Sequence, residues 1–286
     1  MLALSAVVNG ILYGGVLALL VLGLNLMFGV VQIIHFFYGQ LLMVGLYLIY
    51  VFTIWCHIPL ILSCLLTVGV LLLINTLVHV LVVKRLLTAD LINQFLALAS
   101  VMLILENLCQ AIFGTDIKGI PINLPVMNIG ELYFTTSNLI AFVGSLVFAA
   151  LFYIFLNKTY IGLAIRAVAQ DKEVAGFMGI NIYNIYIVTM ALGGGLVGIV
   201  AAFFTPIYSV YPHFGGSFTL ISFIIVVLGG MGNLLGGFIA AFIIGVITIL
   251  VSTFSNTEIG LIVSYLIFLF VILIRPQGIL GAKVSR

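Results

Sequence analysis

MLALSAVVNGILYGGVLALLVLGLNLMFGVVQIIHFFYGQLLMVGLYLIYVFTIWCHIPLILSCLLTVGVLLLINTLVHVLVV, residues 1–83, contains no Asp, Glu, Lys or Arg. Residues 174–257 form a second stretch without charge. A helix needs about 20 apolar residues to cross the hydrocarbon core, so each stretch has room for about three crossings. The rest of the chain agrees: 65% of its 286 residues are hydrophobic and 6% charged, against about 25% charged in soluble domains. Nine basic and seven acidic side chains cannot wet the surface of a soluble fold of this size. The expected fold is all-α: a polytopic transmembrane helical bundle in contact with membrane lipid.

Breaks at Gly, Pro, Asn and charge clusters divide the chain into hydrophobic segments at 5–29, 39–55, 59–83, 93–113, 137–156, 181–205, 218–229, 236–254 and 259–274. The seventh is too short to span comfortably and reads as a half-helix or re-entrant element, which leaves eight or nine membrane segments. The N-terminus has no basic n-region and its apolar run is too long for an h-region, so it reads as the first span. Lys and Arg set direction. Lys84 and Arg85 follow the third segment, Lys158, Arg166 and Lys172 follow the fifth, and Arg275, Lys283 and Arg286 occupy the tail. The 114–136 connection has Lys118 with Asp116 and Glu131, and 206–217 has no basic residue. The basic loops are therefore expected on the cytoplasmic side and the others outside.

Several kinds of chemistry find no support. Cys56, Cys64 and Cys109 form no CxxC pair, and His35, His57 and His79 lack ligand spacing, so no metal site is expected. There is no Gly-x-x-x-x-Gly-Lys-Ser/Thr, no Gly-x-Ser-x-Gly and no His-Glu-x-x-His. No catalytic or cofactor-binding residue is assigned, and the chain does not read as an enzyme. A net charge of +2 gives no reason to expect nucleic acid.

One polar segment stands out: NKTYIGLAIRAVAQDKEVAGFMGI, residues 157–180. Ile161, Ile165, Val168, Lys172, Ala175 and Gly179 follow spacings of three and four, with Arg166, Gln170 and Glu173 on another face. A helix lying in the headgroup plane and a helix docking into a partner both fit. Small residues at Ala167, Ala175 and Gly176 would allow close approach of another surface.

GLAIRAVAQDKEVAGFMGIN at 162–181 resembles the cytoplasmic loop of the branched-chain amino acid type ABC transporter permeases. Gly162, Arg166, Ala167, Asp171, Ala175, Gly179, Ile180 and Asn181 match that family's pattern in register. VVLGGMGNLLGGFIAAFIIG at 226–245, LIRPQGILG at 273–281 and GLNLMFGVVQIIHFFYG at 23–39 are similar to three further family segments, in the same order. Tyr38 stands where the family commonly has His, and Gln40 where it has an acid. The resemblance implies a single permease domain over 1–286, with residues 158–180 coupling it to ATPase. Gly162, Arg166, Ala167, Asp171, Ala175, Gly176, Gly179 and Ile180 are the expected coupling residues. It further implies an inner (plasma) membrane location and three kinds of partner: cytoplasmic ABC ATPase subunits, a second permease subunit (homologous or identical) and an external solute-binding protein. The implied cargo is a small polar solute, in first place Leu, Ile or Val, with urea, short amides and nucleosides carried by relatives.

The remaining candidates are polar or small residues within apolar segments. Gly193–Gly195 reads as helix packing. Gly229, Gly230 and Gly232 read either as a turn or as a helix interruption lining the pathway, since irregular backbone at membrane depth needs protein or water around it. Glu106 shares a helix face with Gln110 and is expected to make an interhelical hydrogen bond; Asn9, Asn25 and Asn75 have the same default. The expected translocation set is Asn25, His35, Tyr38, Gln40, Glu106, Gly229, Gly230 and Gly232. A secondary transporter or channel, the main alternative, would want more intramembrane charge for ion coupling. A membrane enzyme would want clustered catalytic groups.

Overall fold

A computed structural model describes residues 2–122, 125–129, 132–275 and Gly278. Twelve helices and one hairpin make up the described chain. Helix α1 is Leu2–Val31 and α2 is Tyr38–Tyr50, the latter prolonged by a π-helical turn at Val51–Trp55. Helix α3 is Leu60–Val78, continued by a second π turn, His79–Val83, into α4, Lys84–Leu86. Then come α5 (Leu91–Phe113), strands β1 (Val126–Ile129) and β2 (Leu132–Thr135), and α6 (Thr136–Lys158). The chain continues through α7 (Tyr160–Gln170), α8 (Lys172–Phe177), α9 (Ile182–Phe204), α10 (Phe214–Gly229), α11 (Leu234–Phe254) and α12 (Thr257–Ile274). The strands pair antiparallel, Val126 opposite Thr135 and Ile129 opposite Leu132.

Eight helical spans are long and apolar enough to cross a membrane, and the sixteen-residue α10 is the short element anticipated at 218–229. The expected all-α polytopic bundle is therefore observed, with the hairpin as an addition inside the 114–136 connection. The chain divides into two compact units. The first holds Met1–Asn25, Pro121–Ala149 and Ile221–Arg286; the second holds Leu26–Ile120 and Ala150–Leu220.

The second unit is built on α2, α3 and α9. Helix α3 inverts the pattern of a soluble helix. Its buried positions include Ser63, Thr67 and Asn75, with His79 buried in the π turn that follows, while Leu65, Leu73 and Leu77 are exposed. That is the arrangement expected where the surroundings are lipid and polar side chains turn inward. Gly194 and Gly198 of α9 let the backbones meet: a Cβ on Gly194 would lie 2.5 Å from the Leu71 oxygen, and one on Gly198 2.7 Å from Val68 Cα. The packing role expected of the triple glycine holds. Asn75 donates from Nδ2 to the Met190 oxygen at 2.7 Å, fixing the register of α3 on α9.

In the first unit α1 lies against α11 at similarly close range. A Cβ on Gly10 would stand 2.6 Å from Val246 Cα, and one on Gly14 2.9 Å from Phe242 Cα. Helices α11 and α12 form a hairpin whose inner faces share a Thr248–Ser264 hydroxyl contact at 2.7 Å.

Candidate functional site

The residues shared with the family loop prove to be the punctuation of a helix–turn–helix. Thr159 N-caps α7, its Oγ1 accepting from Gly162 N at 3.0 Å. Gly162 has no room for a side chain: a Cβ would lie 2.5 Å from Leu156 Cα and from two carbonyl oxygens of α6. Asp171, in extended backbone, ends α7 and caps α8, its Oδ1 accepting from Glu173 N at 2.9 Å and Val174 N at 3.1 Å. Gly179 closes α8 in the left-handed region, φ +84°, and Asn181 Oδ1 caps α9 by accepting from Asn184 N at 3.2 Å. The single amphipathic helix expected here is therefore two, broken where the Asp171 carboxylate competes for backbone N–H groups.

Burial also revises the roles within that segment. Ala164, Ile165, Val168 and Ala175 are buried against the chain itself, so Ala175 is a packing residue of the permease. Ala167 and Ile180 are half-buried, while Arg166 and Gly176 are exposed. The outer surface is apolar: Tyr160 is 81% exposed, Phe177 89% and Met178 79%, with Leu163 and Val174 beside them.

The translocation candidates fall in three places. In the first unit, Asn25 bolts the glycine turn between α10 and α11. Its Oδ1 accepts from Gly232 N at 2.7 Å, and its Nδ2 donates to the Asn233 oxygen at 2.7 Å. Gly230 and Gly232 take positive φ (99° and 83°), a conformation that only glycine adopts freely. A Cβ on Gly229 would lie 2.4 Å from the Gly236 carbonyl carbon, so the two helices touch backbone to backbone. Of the two readings left open for this cluster, the tight turn is observed. Gly278 sits beside the same turn, 2.6 Å from the Val227 oxygen by its would-be Cβ. The remaining residues of the tail motif, apart from Leu273–Arg275, lie outside the described residues.

In the second unit, residues 32–37 interrupt the helical path between α1 and α2. Gln32 has φ +59°, and Ile33, His35 and Phe37 are buried. Such irregular backbone is stable only inside protein or beside a water-filled cavity. His35 Nδ1 bonds the Ile33 oxygen at 2.8 Å, so Nδ1 carries the proton and Nε2 is left as an acceptor. Tyr38 and Gln40, both fully buried, open α2. Here α2 crosses α10: Thr219 Oγ1 accepts from Gly39 N at 3.0 Å and lies 3.0 Å from Gln40 Oε1. Gly39 and Gly215 again permit backbone contact.

Glu106, expected to bond to another helix, finds its partner on a connection instead. Its Oε1 meets Nδ1 of His213, 2.5 Å away, from the connection between α9 and α10. Sequence reasoning missed His213, because nothing local ties it to a residue 107 positions earlier. The same connection pairs Val210 with Lys118 by two backbone hydrogen bonds, 2.9 and 2.7 Å.

The family described as "Branched-chain amino acid transport system / permease component" matches residues 6–272. The high-affinity branched-chain amino acid transport system permease protein BraD of Pseudomonas aeruginosa is 26% identical, over 97% of this chain and 95% of its own length. The protein of the same description, LivH, of Escherichia coli K12 is 25% identical, over 97% and 95%. A probable branched-chain amino acid transport permease protein LivH of Methanocaldococcus jannaschii is 27% identical, over 96% and 91%. The polytopic helical fold and a match running from residue 6 to residue 272 lead to one statement: the chain belongs to the branched-chain amino acid transport system permease component family.

Proposed function

We propose that this chain is the channel-forming permease subunit of an ATP-driven importer in the inner (plasma) membrane, carrying branched-chain amino acids. The family match over residues 6–272 carries the reading, and the names of the relatives supply the cargo. In this reading residues 1–286 act as one permease domain, with ATPase subunits docking on α7 and α8. A solute-binding protein delivers cargo from outside, and a second permease subunit completes the pathway.

The docking surface is the exposed group Tyr160, Phe177 and Met178, an apolar patch on a connection that carries Lys158, Arg166 and Lys172. Its inner face is packed on the permease through Ile165, Val168 and Ala175, so a push on α8 passes into α9 and, through α7 at Gly162, into the end of α6. ATP-driven closure of the ATPase pair would thereby bias the spans between outward-open and inward-open states. The broken segment 32–37 and the glycine-mediated crossings of α2 with α10 and of α10 with α11 are where the spans can rearrange.

Replacing Phe177 and Met178 together by Asp should leave the permease inserted and remove ATPase co-purification and solute-stimulated ATP hydrolysis. Fully burying such side chains contributes about 1.5–3 kcal/mol each, and every 1.4 kcal/mol is about tenfold in affinity. Ala175→Trp should act differently, lowering the amount of folded permease by overpacking its interior, at about 1–3 kcal/mol. ATPase capture undiminished by the Asp pair would overturn the docking assignment.

A further inference from the structure

Helices α3 and α9 run antiparallel, and their rungs can be followed residue by residue. Gly194 meets Leu71, and Asn75 reaches the Met190 oxygen. One turn further along α3, the His79 ring stands 6.4 Å from the Tyr186 ring, edge to face, with Tyr183 on its other flank at 6.3 Å. Thr189 belongs to the same buried stripe of α9 as Tyr186 and Met190. Asn75, His79 and Thr189 therefore share one stretch of the interface, and all three are fully enclosed.

Each of them keeps a polar atom unused there. Among the described residues, the Asn75 carbonyl oxygen, both ring nitrogens of His79 and the Thr189 hydroxyl have no hydrogen-bond partner. The Asn75 amide nitrogen already donates to the Met190 oxygen at 2.7 Å and to the Met27 sulfur at 3.4 Å, so the side chain can only accept more. Thr189 also departs from the habit of its type. Thr76, Thr205, Thr248 and Thr253 bond the carbonyl four residues back at 2.7–2.8 Å, whereas Thr189 leaves that of Ile185 alone. His79 in turn opens the π-helical turn His79–Val83, a geometry frequent at functional sites.

The surroundings restrict what can bind. Neither α3 nor α9 carries a charged residue, so an ion would stand there without a counter-charge. No group of three His, Cys, Asp or Glu that could hold a metal occurs among the described residues. Asn75 and His79 are about 6 Å apart along the helix axis, too far for a direct bond and close to the span of two hydrogen bonds of about 2.8 Å each. At the next rung the backbones touch, a Cβ on Gly194 lying 2.5 Å from the Leu71 oxygen, so the ligand must be small. It must also donate to Asn75 and exchange hydrogen bonds with a hydroxyl and an imidazole.

We propose that this is a water site, where ordered water bridges Asn75 Oδ1, the Thr189 hydroxyl and the His79 ring. Buried water makes about three hydrogen bonds, and these side chains supply them. The bridge carries hydrogen bonding from α3 to α9 where the π turn begins.

X-ray radiolysis of the complete transporter in membranes tests the site, because bound water yields hydroxyl radicals in place and these oxidise adjoining side chains. Met190 is the reporter, being fully buried, next to Thr189 and bonded through its carbonyl to Asn75. Mass spectrometry should find it oxidised in the wild type and spared when Thr189→Val and His79→Phe are combined. Thr189→Val alone should raise the unfolding constant in detergent about fivefold, the worth of one hydrogen bond. In a dry interface the same change removes an unpartnered hydroxyl and lowers that constant. Met190 protected in the wild type, oxidation undiminished in the double variant, or a Thr189→Val permease no easier to unfold would each refute the water site. The wild-type footprint decides alone where the double variant does not insert.

Discussion

Glu106 Oε1 and His213 Nδ1 form the contact with the largest sequence separation among the charged side chains of the second unit. The acid lies seven residues before the end of α5, about 10 Å along the axis, and a lone carboxylate at such depth is costly. Insertion scales put an acid at a helix centre at about 2.5–3.5 kcal/mol. The imidazole supplies a donor, and an amide oxygen can accept that hydrogen as well as a carboxylate can. Glu106→Gln should therefore retain more than half of the transport rate per inserted permease, while His213→Leu, which removes the partner, should lose more. Rates of solute uptake, normalised to permease in the membrane, check both. A folded Glu106→Gln permease that transports nothing would show that the charge itself is needed.

At the scale of elements, the Asn25 clamp joins α1 to the turn between α10 and α11. Asn25→Ala removes both bonds at a turn where Gly232 is exposed and Asn233 half-buried, so each loss is the net worth of a hydrogen bond, about 0.5–1.5 kcal/mol. Unfolding in detergent should become easier by about 1–3 kcal/mol. Thr253→Ala, whose hydroxyl is exposed and bonds only its own helix at the Ile249 oxygen, should change little. Equal stability of the two variants would remove the clamp from the account. Elements like these were unequally legible in the sequence. The spans could be read because each is a long apolar run bounded by Gly, Pro or charge, and even the short α10 was visible as too short. The break at 32–37 fell between the segments read as 5–29 and 39–55, bounded by Gly29 and Gly39, although Ile33, Ile34, Phe36 and Phe37 are as apolar as any helix. The hairpin at 126–135 escaped because the 114–136 connection was read from its charge alone. Asp171 looked like one polar position on an amphipathic helix; its capping of α8 depends on backbone geometry that periodicity does not carry. Likewise Asn25 and Gln40 were identifiable as buried polar residues, whereas their partners Gly232 and Thr219 lie about 180–207 positions away and leave no local signal.

At the scale of the molecule, the tertiary contacts of the second unit group its connections in the same way as the distribution of Lys and Arg does. In the second unit the rings of Tyr47 and Trp55 meet Phe113, with centroids 4.3 and 5.5 Å apart. Beyond them Lys118 pairs with Val210, so the ends of α2 and α5 share one side with the connection after α9. All of these belong to connections poor in basic residues. On the opposite ends, Lys84 lies over the Tyr183 ring at 4.3 Å, bringing the start of α9 to the basic connection after α3. A protein with two faces, one collecting cations, inserts with that face toward the cytoplasm. Cys56, exposed in the connection between α2 and α3, should then react with an impermeant thiol reagent in intact cells without any engineering. In a background lacking the native cysteines, Asp116→Cys should behave the same way, whereas Thr88→Cys and Glu173→Cys should react only after the membrane is opened. Cytoplasmic placement of residue 173 is also what the ATPase docking surface on α7 and α8 requires, so the labelling bears on mechanism as well as topology. Reaction of Thr88→Cys or Glu173→Cys in intact cells, with Asp116→Cys protected, would reverse the orientation and put the proposed ATPase surface out of its partner's reach.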